Sequence, residues 1–161
     1  MIEITEVKDI KELANLASDI WHEYWVDILS PEQIDYMVEK FQSENAILNQ
    51  IKSENYTYFF IKSEGQNAGY IGLSKKDDYL FLSKLYIKKE FRRRGFGTQA
   101  FEFIRKFASE NGFDRIVLTV NKYNENTIKA YYKWHFKQIN SVVTDIGNGY
   151  VMDDYIFEYT L

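Results

Sequence analysis

The sequence predicts a mixed α/β (α+β) single domain built on a seven-stranded mixed sheet. Three observations carry that prediction. A length of 161 residues with 45% hydrophobic residues suits one domain with a full core. Segments with helical spacing of apolar residues alternate with segments of period two. Read in order they give β-α-α-β-β-β-α-β-α-β-β, with no repeat, low-complexity stretch or linker between them.

Residues 2–7 (IEITEV) alternate and read as a strand. Asp9 caps a helix over about 10–25, where Leu13, Leu16, Ile20 and Tyr24 recur at helical spacing. Ser30-Pro31-Glu32-Gln33 opens a second helix to about Phe41, with Ser30 as cap, Pro31 at the first position and Gln33 completing a capping box. Ser43 opens a further short helix ending near Lys52. Residues 56–63, 70–74 and 79–89, separated by EGQN and KKDD, read as an antiparallel meander. A helix over 95–111 stops at Asn111-Gly112, residues 115–120 form a buried strand, and a helix follows over 125–134. Two closing strands near 136–145 and 150–160 flank IGNG.

Composition removes several functions. Without cysteine there is no disulfide, thiolate nucleophile or thiolate metal site, and His22 and His135 are too few for a zinc cluster, so no metal is expected. A net charge of −4 speaks against nucleic acid as a partner. No apolar run approaches the roughly 20 residues of a membrane span, and the charged N-terminus does not read as a signal peptide, so no membrane and a cytoplasmic setting are expected. The charge is uneven. Residues 75–94 hold eight Lys or Arg against three acids, and the end of the chain is acidic. A basic centre and an acidic tail suit an anionic cofactor and a cationic substrate, although for any single charge a solvated surface is the commoner explanation.

The loop Arg92-Arg93-Arg94-Gly95-Phe96-Gly97-Thr98 lies between a strand and a helix N-terminus. Unpaired N–H groups, the helix dipole, glycines that admit close approach and arginine donors together form an anion site for a phosphate or pyrophosphate. The loose dinucleotide fingerprint G-x-G-x-x-G/A fits 95–100. It requires an acid about 20 residues on, at the end of the next strand, where Val120-Asn121-Lys122 stands instead. A nucleoside-triphosphatase loop would require Gly-Lys-Ser/Thr, which is missing.

Arg92-x-x-Gly95-x-Gly97 matches the R/Q-x-x-G-x-G/A motif of the GCN5-related N-acetyltransferases (GNAT), and LYIKKEFRRRGFG (85–97) resembles that superfamily's fourth strand and pyrophosphate loop. VNKYNENTIKAYYKWHF (120–136) resembles its fifth strand and following helix, with Asn124, Ile128, Tyr131, Lys133 and Phe136 at matching positions. Departures are Thr127 for a common Ala, His135 for the usual Gly, and no Glu in LFLSKLYI, which leaves the general base unassigned. The resemblance implies acetyl-coenzyme A as cosubstrate. Pantetheine would bond the backbone of Leu85, Tyr86 and Ile87, an N–H near Leu85 would stabilise the developing oxyanion, and the pyrophosphate would sit on residues from Arg93 to Thr98. It also implies Tyr131 as general acid for the coenzyme A sulfur, with Asn124 seven positions earlier on the same helical face near the pantetheine arm. Taken alone, Tyr131 is an ordinary packing aromatic and Lys133 a solvated lysine as readily as a phosphate contact.

The acceptor side is read from two clusters. Trp21, His22, Glu23 and Trp25 end the first helix, and Tyr150, Asp153 and Asp154 precede the last strand. Aromatics with acids suit a cationic amine. His22, Glu23 or Asp153 are the candidate bases, while core packing is the better reading of Trp21 and Trp25. The S-P-E-Q entry, Phe59-Phe60-Ile61, Leu85-Tyr86-Ile87 and the late turn from Gly147 to Asp154 are similar to bacterial polyamine N-acetyltransferases. The expected activity is therefore acetyl transfer to a primary amine of a small molecule, polyamine first, by direct attack in a ternary complex. The alternatives are a non-catalytic acyl-coenzyme A sensor on the same fold, a peptide or protein amine acetyltransferase, and a nucleic-acid module. A homodimer is a common outcome in the family.

Overall fold

The computed structural model describes residues 1–161. Its elements are β1 (Glu3–Glu6), α1 (Ile10–Tyr24), α2 (Pro31–Gln42), α3 (Glu44–Ser53), β2 (Tyr56–Ser63), β3 (Gln66–Lys75), β4 (Leu80–Ile87), a 3-10 turn (Lys89–Phe91), α4 (Phe96–Glu110), β5 (Arg115–Asn121), α5 (Glu125–Lys133), β6 (Lys137–Gly147) and β7 (Tyr150–Thr160). The seven strands form one sheet in the order β1-β2-β3-β4-β5-β7-β6. Only the β4–β5 pair is parallel, and α4 makes its crossover. The expected order holds except that the short helix opened by Ser43, left out of that order, stands as a third helix, α3, ahead of the meander.

Local chemistry sets the helix starts. Asp9 accepts from the Glu12 N–H at 3.1 Å, Ser30 from that of Gln33 at 3.1 Å and Ser43 from that of Ala46 at 3.2 Å. The predicted capping box at Ser30 forms only in half. The Gln33 side chain turns away, donating to the Val151 carbonyl at 3.4 Å, and the exposed Ser30 leaves its own N–H to water. At the far end of α5, His135 adopts the left-handed conformation (φ 72°). Its N–H reaches the Tyr132 carbonyl and that of Phe136 reaches Tyr131, both at 3.0 Å, while the Tyr131 and Phe136 rings pack at 5.2 Å. This is a Schellman stop made without glycine, and it anchors Tyr131.

The sheet separates two cores. One packs β2–β5 and β7 against α4 and α5 through residues such as Ile71, Ile104, Phe101, Tyr131 and Phe157. The other packs the opposite face against α1–α3 through Leu13, Ile20, Trp21, Met37, Ile47, Tyr58 and Tyr70. The second core contains buried polar groups, and apart from the unpartnered Trp25 Nε1 they satisfy one another. Trp21 Nε1 donates to the Tyr70 hydroxyl at 2.6 Å, which donates to Gln42 Oε1 at 2.7 Å. Gln42 and Gln50 both donate to the Phe41 carbonyl, and Tyr58 donates to Gln50 Oε1. Such a network holds only while every member is partnered.

Tyr70→Phe strands the Trp21 indole N–H and the Gln42 carbonyl inside this core. It should lower unfolding stability by about 1–3 kcal/mol in denaturant titration, with the loss concentrated in the α1–α3 face as judged by hydrogen exchange.

Candidate active site

Pairing between β4 and β5 is confined to Leu80↔Ile116 and Phe81↔Val117. Beyond these positions the two strands part, while β4 stays paired to β3 as far as Ile87 and β5 to β7 as far as Asn121. The parting opens a cavity of about 420 Å³ between the sheet, α1–α3 and the start of α5. Leu85, Tyr86, Asn124, Tyr131, Trp21 and Trp25 all line it, so the structure gathers residues far apart in sequence. Trp21 and Trp25 are also buried in the α1–α3 core, so each serves both as packing and as wall.

Tyr24, which the sequence reading used only for helix periodicity, ties the elements of the site together. Its hydroxyl lies 2.6 Å from Thr127 Oγ1 and accepts from Asn124 Nδ2 at 2.6 Å. Its ring lies 5.2 Å beneath the Arg92 guanidinium. Asn124 therefore connects α5 to α1 through its side chain, a role its residue type alone did not reveal.

The anion loop lies outside the cavity, at the start of α4. Arg93 (φ 62°) and Gly95 (φ 77°) are both left-handed, which curls the backbone so that successive N–H groups converge before the helix. Each arginine has a different task. Arg92 donates from Nε to the Ile87 carbonyl at 3.0 Å and closes the loop, while Arg94 reaches the Glu90 carbonyl at 3.3 Å and covers Phe91. Arg93 is exposed and points out of the fold. Phe96 is buried against Phe91, so only its backbone can serve a ligand, and Gly97 faces Trp134. Lys133 is exposed, and Ile87 carries β4 past the cavity. A strand gap leading to a curled helix N-terminus fits a long molecule with a pyrophosphate at one end and an extended arm.

Four residues expected on the acceptor side are not brought to the cavity. His22 lies on the outer face, with Nε2 2.7 Å from Asp35 and Nδ1 2.7 Å from the Ser18 carbonyl. The Asp35 contact raises its pKa and both nitrogens are engaged, so it has none free as a base. Glu23 accepts from the Lys89 N–H at 2.8 Å and holds the 3-10 turn. Tyr150 packs on Tyr36 at 5.4 Å. Asp153 pairs with Lys122 at 2.7 Å. Successive residues of β7 point to opposite faces, so it is Asp154 that enters the cavity.

Asp154 is 4% exposed, and burial, reinforced by Asp153, pushes its carboxyl up to about 6. Burial, with Tyr24 nearby, also raises the Tyr131 hydroxyl, and no hydrogen bond acts on it. The Tyr86 hydroxyl is raised in the same way, chiefly by burial and then by Tyr24, Tyr131 and Asp154. One end of the cavity thus gathers a raised carboxyl and two neutral phenols. Lys84, Glu54 and Tyr56 line the same cavity.

Residues 11–136 match the Acetyltransferase (GNAT) family. The chain belongs to that family. It is an acetyl-coenzyme A-dependent N-acetyltransferase of the GNAT fold. A relative from Lactobacillus delbrueckii subsp. lactis, an uncharacterised N-acetyltransferase, is 27% identical over 81% of this chain and 80% of its own. A spermidine N(1)-acetyltransferase of Thermoplasma acidophilum is 24% identical over 91% of each chain. In fold the chain is similar to the PaiA N-acetyltransferase of Thermoplasma acidophilum solved with coenzyme A, at a TM-score of 0.80, 20% identity and 100% and 99% coverage. It is also similar to the ribosomal-protein-S18-alanine N-acetyltransferase of Escherichia coli, at a TM-score of 0.73, 17% identity and 99% and 94% coverage.

A side chain at Gly95 would meet no neighbour, so the site resists substitution through its backbone and not through crowding. Gly95→Val should open the curl and weaken coenzyme A binding about tenfold or more by calorimetry, because a β-branched residue at positive φ is strained by about 1–3 kcal/mol.

Proposed function

We propose that this acetyltransferase acts on a primary amine of a small molecule, with Asp154 as general base and Tyr131 as donor to the leaving sulfur. The supporting observation is a buried carboxyl raised to about 6 and a buried, neutral phenol in one cavity, both acting on the Tyr86 hydroxyl that lines it with them. Environments that push two titratable groups apart are how one site provides a base and an acid at the same pH.

Acetyl-coenzyme A supplies the acyl thioester. Above about pH 6 Asp154 is ionised and takes a proton from the acceptor ammonium, which frees the amine lone pair. The amine N–C bond forms as the C–S bond breaks. A backbone N–H near Leu85 faces the carbonyl oxygen. The Tyr131 hydroxyl, kept protonated by burial, meets the charge appearing on the sulfur. Arg93, Gly95 and the start of α4 hold the phosphates outside the cavity, and Tyr86, Ile87 and Asn124 border the arm.

A second reading narrows the acceptor to a polyamine. It draws support from the likeness to the spermidine acetyltransferase and from the acid at the reacting end. The cavity is not uniformly acidic, however, because Lys40 and Lys84 line it alongside Glu54 and Asp154. A homodimer draws its support from the open edge of β6.

Thiol release from acetyl-coenzyme A against a panel of polyamines, diamines, amino acids, aminoglycosides and short peptides tests the reading. Release with a small amine, confirmed by product mass, supports it. Release with peptides alone, or coenzyme binding with no release at all, overturns it.

Tyr131→Phe should cut turnover about a hundredfold with little change in coenzyme affinity. An unchanged rate across pH removes Tyr131 from the chemistry.

For Asp154 the expected kcat/KM rises with pH through about 6 in the wild type, and Asp154→Asn loses about a hundredfold or more together with that limb. The same substitution should raise Tm at neutral pH. The folded-state pKa of Asp154 lies above its ordinary 3.8, so the folded chain binds more protons between about pH 4 and 6. Stability therefore falls as pH rises through that window, and Asn removes the penalty.

A further inference from the structure

The proposed chemistry leaves Lys40, Glu54 and Lys84 of the cavity without a task, and Lys84 is the one that a strand irregularity aims. On β4, Leu82 pairs with Leu73 and Lys84 with Gly72, so Ser83 is the extra residue of a bulge. The bulge re-aims Lys84 into the cavity. Gly72 leaves it space: a Cβ there would come within 2.8 Å of the Tyr58 ring and 3.0 Å of Lys84 Cγ.

The Lys84 ammonium has no counter-ion. It donates to the Ser83 hydroxyl at 2.5 Å and lies 5.8 Å from the Tyr56 ring. Glu54 acts on it only at a distance, and burial pushes the amine down to about 8. A half-buried ammonium answered by one neutral oxygen and a ring face is an incomplete site, because enclosed charge is normally paired. Asp154 acts on the Tyr86 hydroxyl, whereas the Lys84 ammonium stands against Ser83 and the Tyr56 ring, so the two charges lie among different groups of the lining.

We propose that Lys84 and Ser83 bind a carboxylate of the acceptor, so that the substrate is amphoteric, with its amine toward Asp154 and its carboxylate toward the β4 bulge. This rests on the acetyl-transfer reading above and narrows its acceptor to amino-acid-like molecules. A purely cationic chain would instead bring like charge against Lys84. With the Tyr56 hydroxyl, 2.8 Å away, donating to Ser83, the Ser83 O–H is free, and one ammonium with one hydroxyl suits a carboxylate, which needs no more than two or three donors.

The test compares acceptors matched in length with and without the carboxylate: lysine against cadaverine, ornithine against putrescine, and glycine, β-alanine and longer homologues against the corresponding alkylamines. Wild-type kcat/KM should favour the carboxylate members about tenfold or more. Lys84→Met should erase that preference, chiefly through KM, with far smaller loss for the carboxylate-free amines, and Lys84→Arg should keep it. Equal losses in both columns, or spermidine and the diamines outrunning every amino acid, would overturn the assignment. If nothing in the panel turns over, the acetylation reading falls and binding decides Lys84 separately. Calorimetry with coenzyme A present should then show carboxylate ligands binding the wild type and not Lys84→Met. No wild-type binding, or equal binding by both, overturns the site.

Discussion

The parting of β4 from β5 after two paired positions is the constraint on which the rest of the structure depends. A fully zipped parallel pair would leave no cavity, and the α4 N-terminus would face a closed sheet. With the gap, each strand keeps its outer partner, so the sheet remains one body while opening at its centre. The opening exposes backbone that a ligand can pair with, which is cheaper to expose to a cavity than to bury unpaired. Tyr24 and Arg92 then span the opening: one bonds Asn124 and Thr127 of α5, and the other closes the loop onto Ile87. The gap is thus held at a fixed width by side chains from α1, α5 and the loop after β4.

The α1–α3 face bears the cost of that opening in a different way. It carries one wall of the cavity, and a wall must be rigid to position whatever it holds. Here rigidity comes from buried phenols, amides and an indole locked into hydrogen-bonded chains, not from aliphatic packing alone. Tyr58, Tyr70 and Tyr86 stack in turn along the sheet, with centroids 6.4 and 5.6 Å apart, and Trp21 crosses Tyr86 at 5.6 Å. The high tyrosine content is in this sense structural: the rings fill volume, and the hydroxyls either satisfy neighbours in the core or face the cavity.

Strands, helices and their order were legible because period and capping are local properties, and the loop ahead of α4 was legible as a curled helix start because glycines are constrained by backbone geometry. The acceptor side was not, for three separate reasons. Asp153 and Asp154 are adjacent, and a single residue of register decides which faces the cavity. The aromatic face of Tyr155, Phe157 and Tyr159 carried that register, placing Asp153 on their side. Lys84 is aimed by a bulge opposite Gly72 that no alternation pattern announces. His22 and Glu23 sit next to Trp21 in sequence, but a helix turns about 100° per residue, so neighbours of a cavity-lining residue face elsewhere. Gln33 illustrates the converse: a residue type suited to a cap is drawn across to Val151 by tertiary packing.

Asp153 retains an influence although it lies outside the cavity. It raises Asp154, whereas Lys122, with which it pairs at 2.7 Å, lowers it. The two effects oppose, and burial dominates both. The ion pair therefore neutralises most of what either charge would do alone, leaving the Asp154 carboxyl governed by its enclosure. Screening acts on this part-buried pair more than on desolvation, so the carboxyl responds only weakly to salt. The same enclosure makes it sensitive to whatever fills the cavity. A cation entering the cavity would lower the Asp154 pKa again and favour the carboxylate, so enclosure and an entering charge act on this one group in opposite directions.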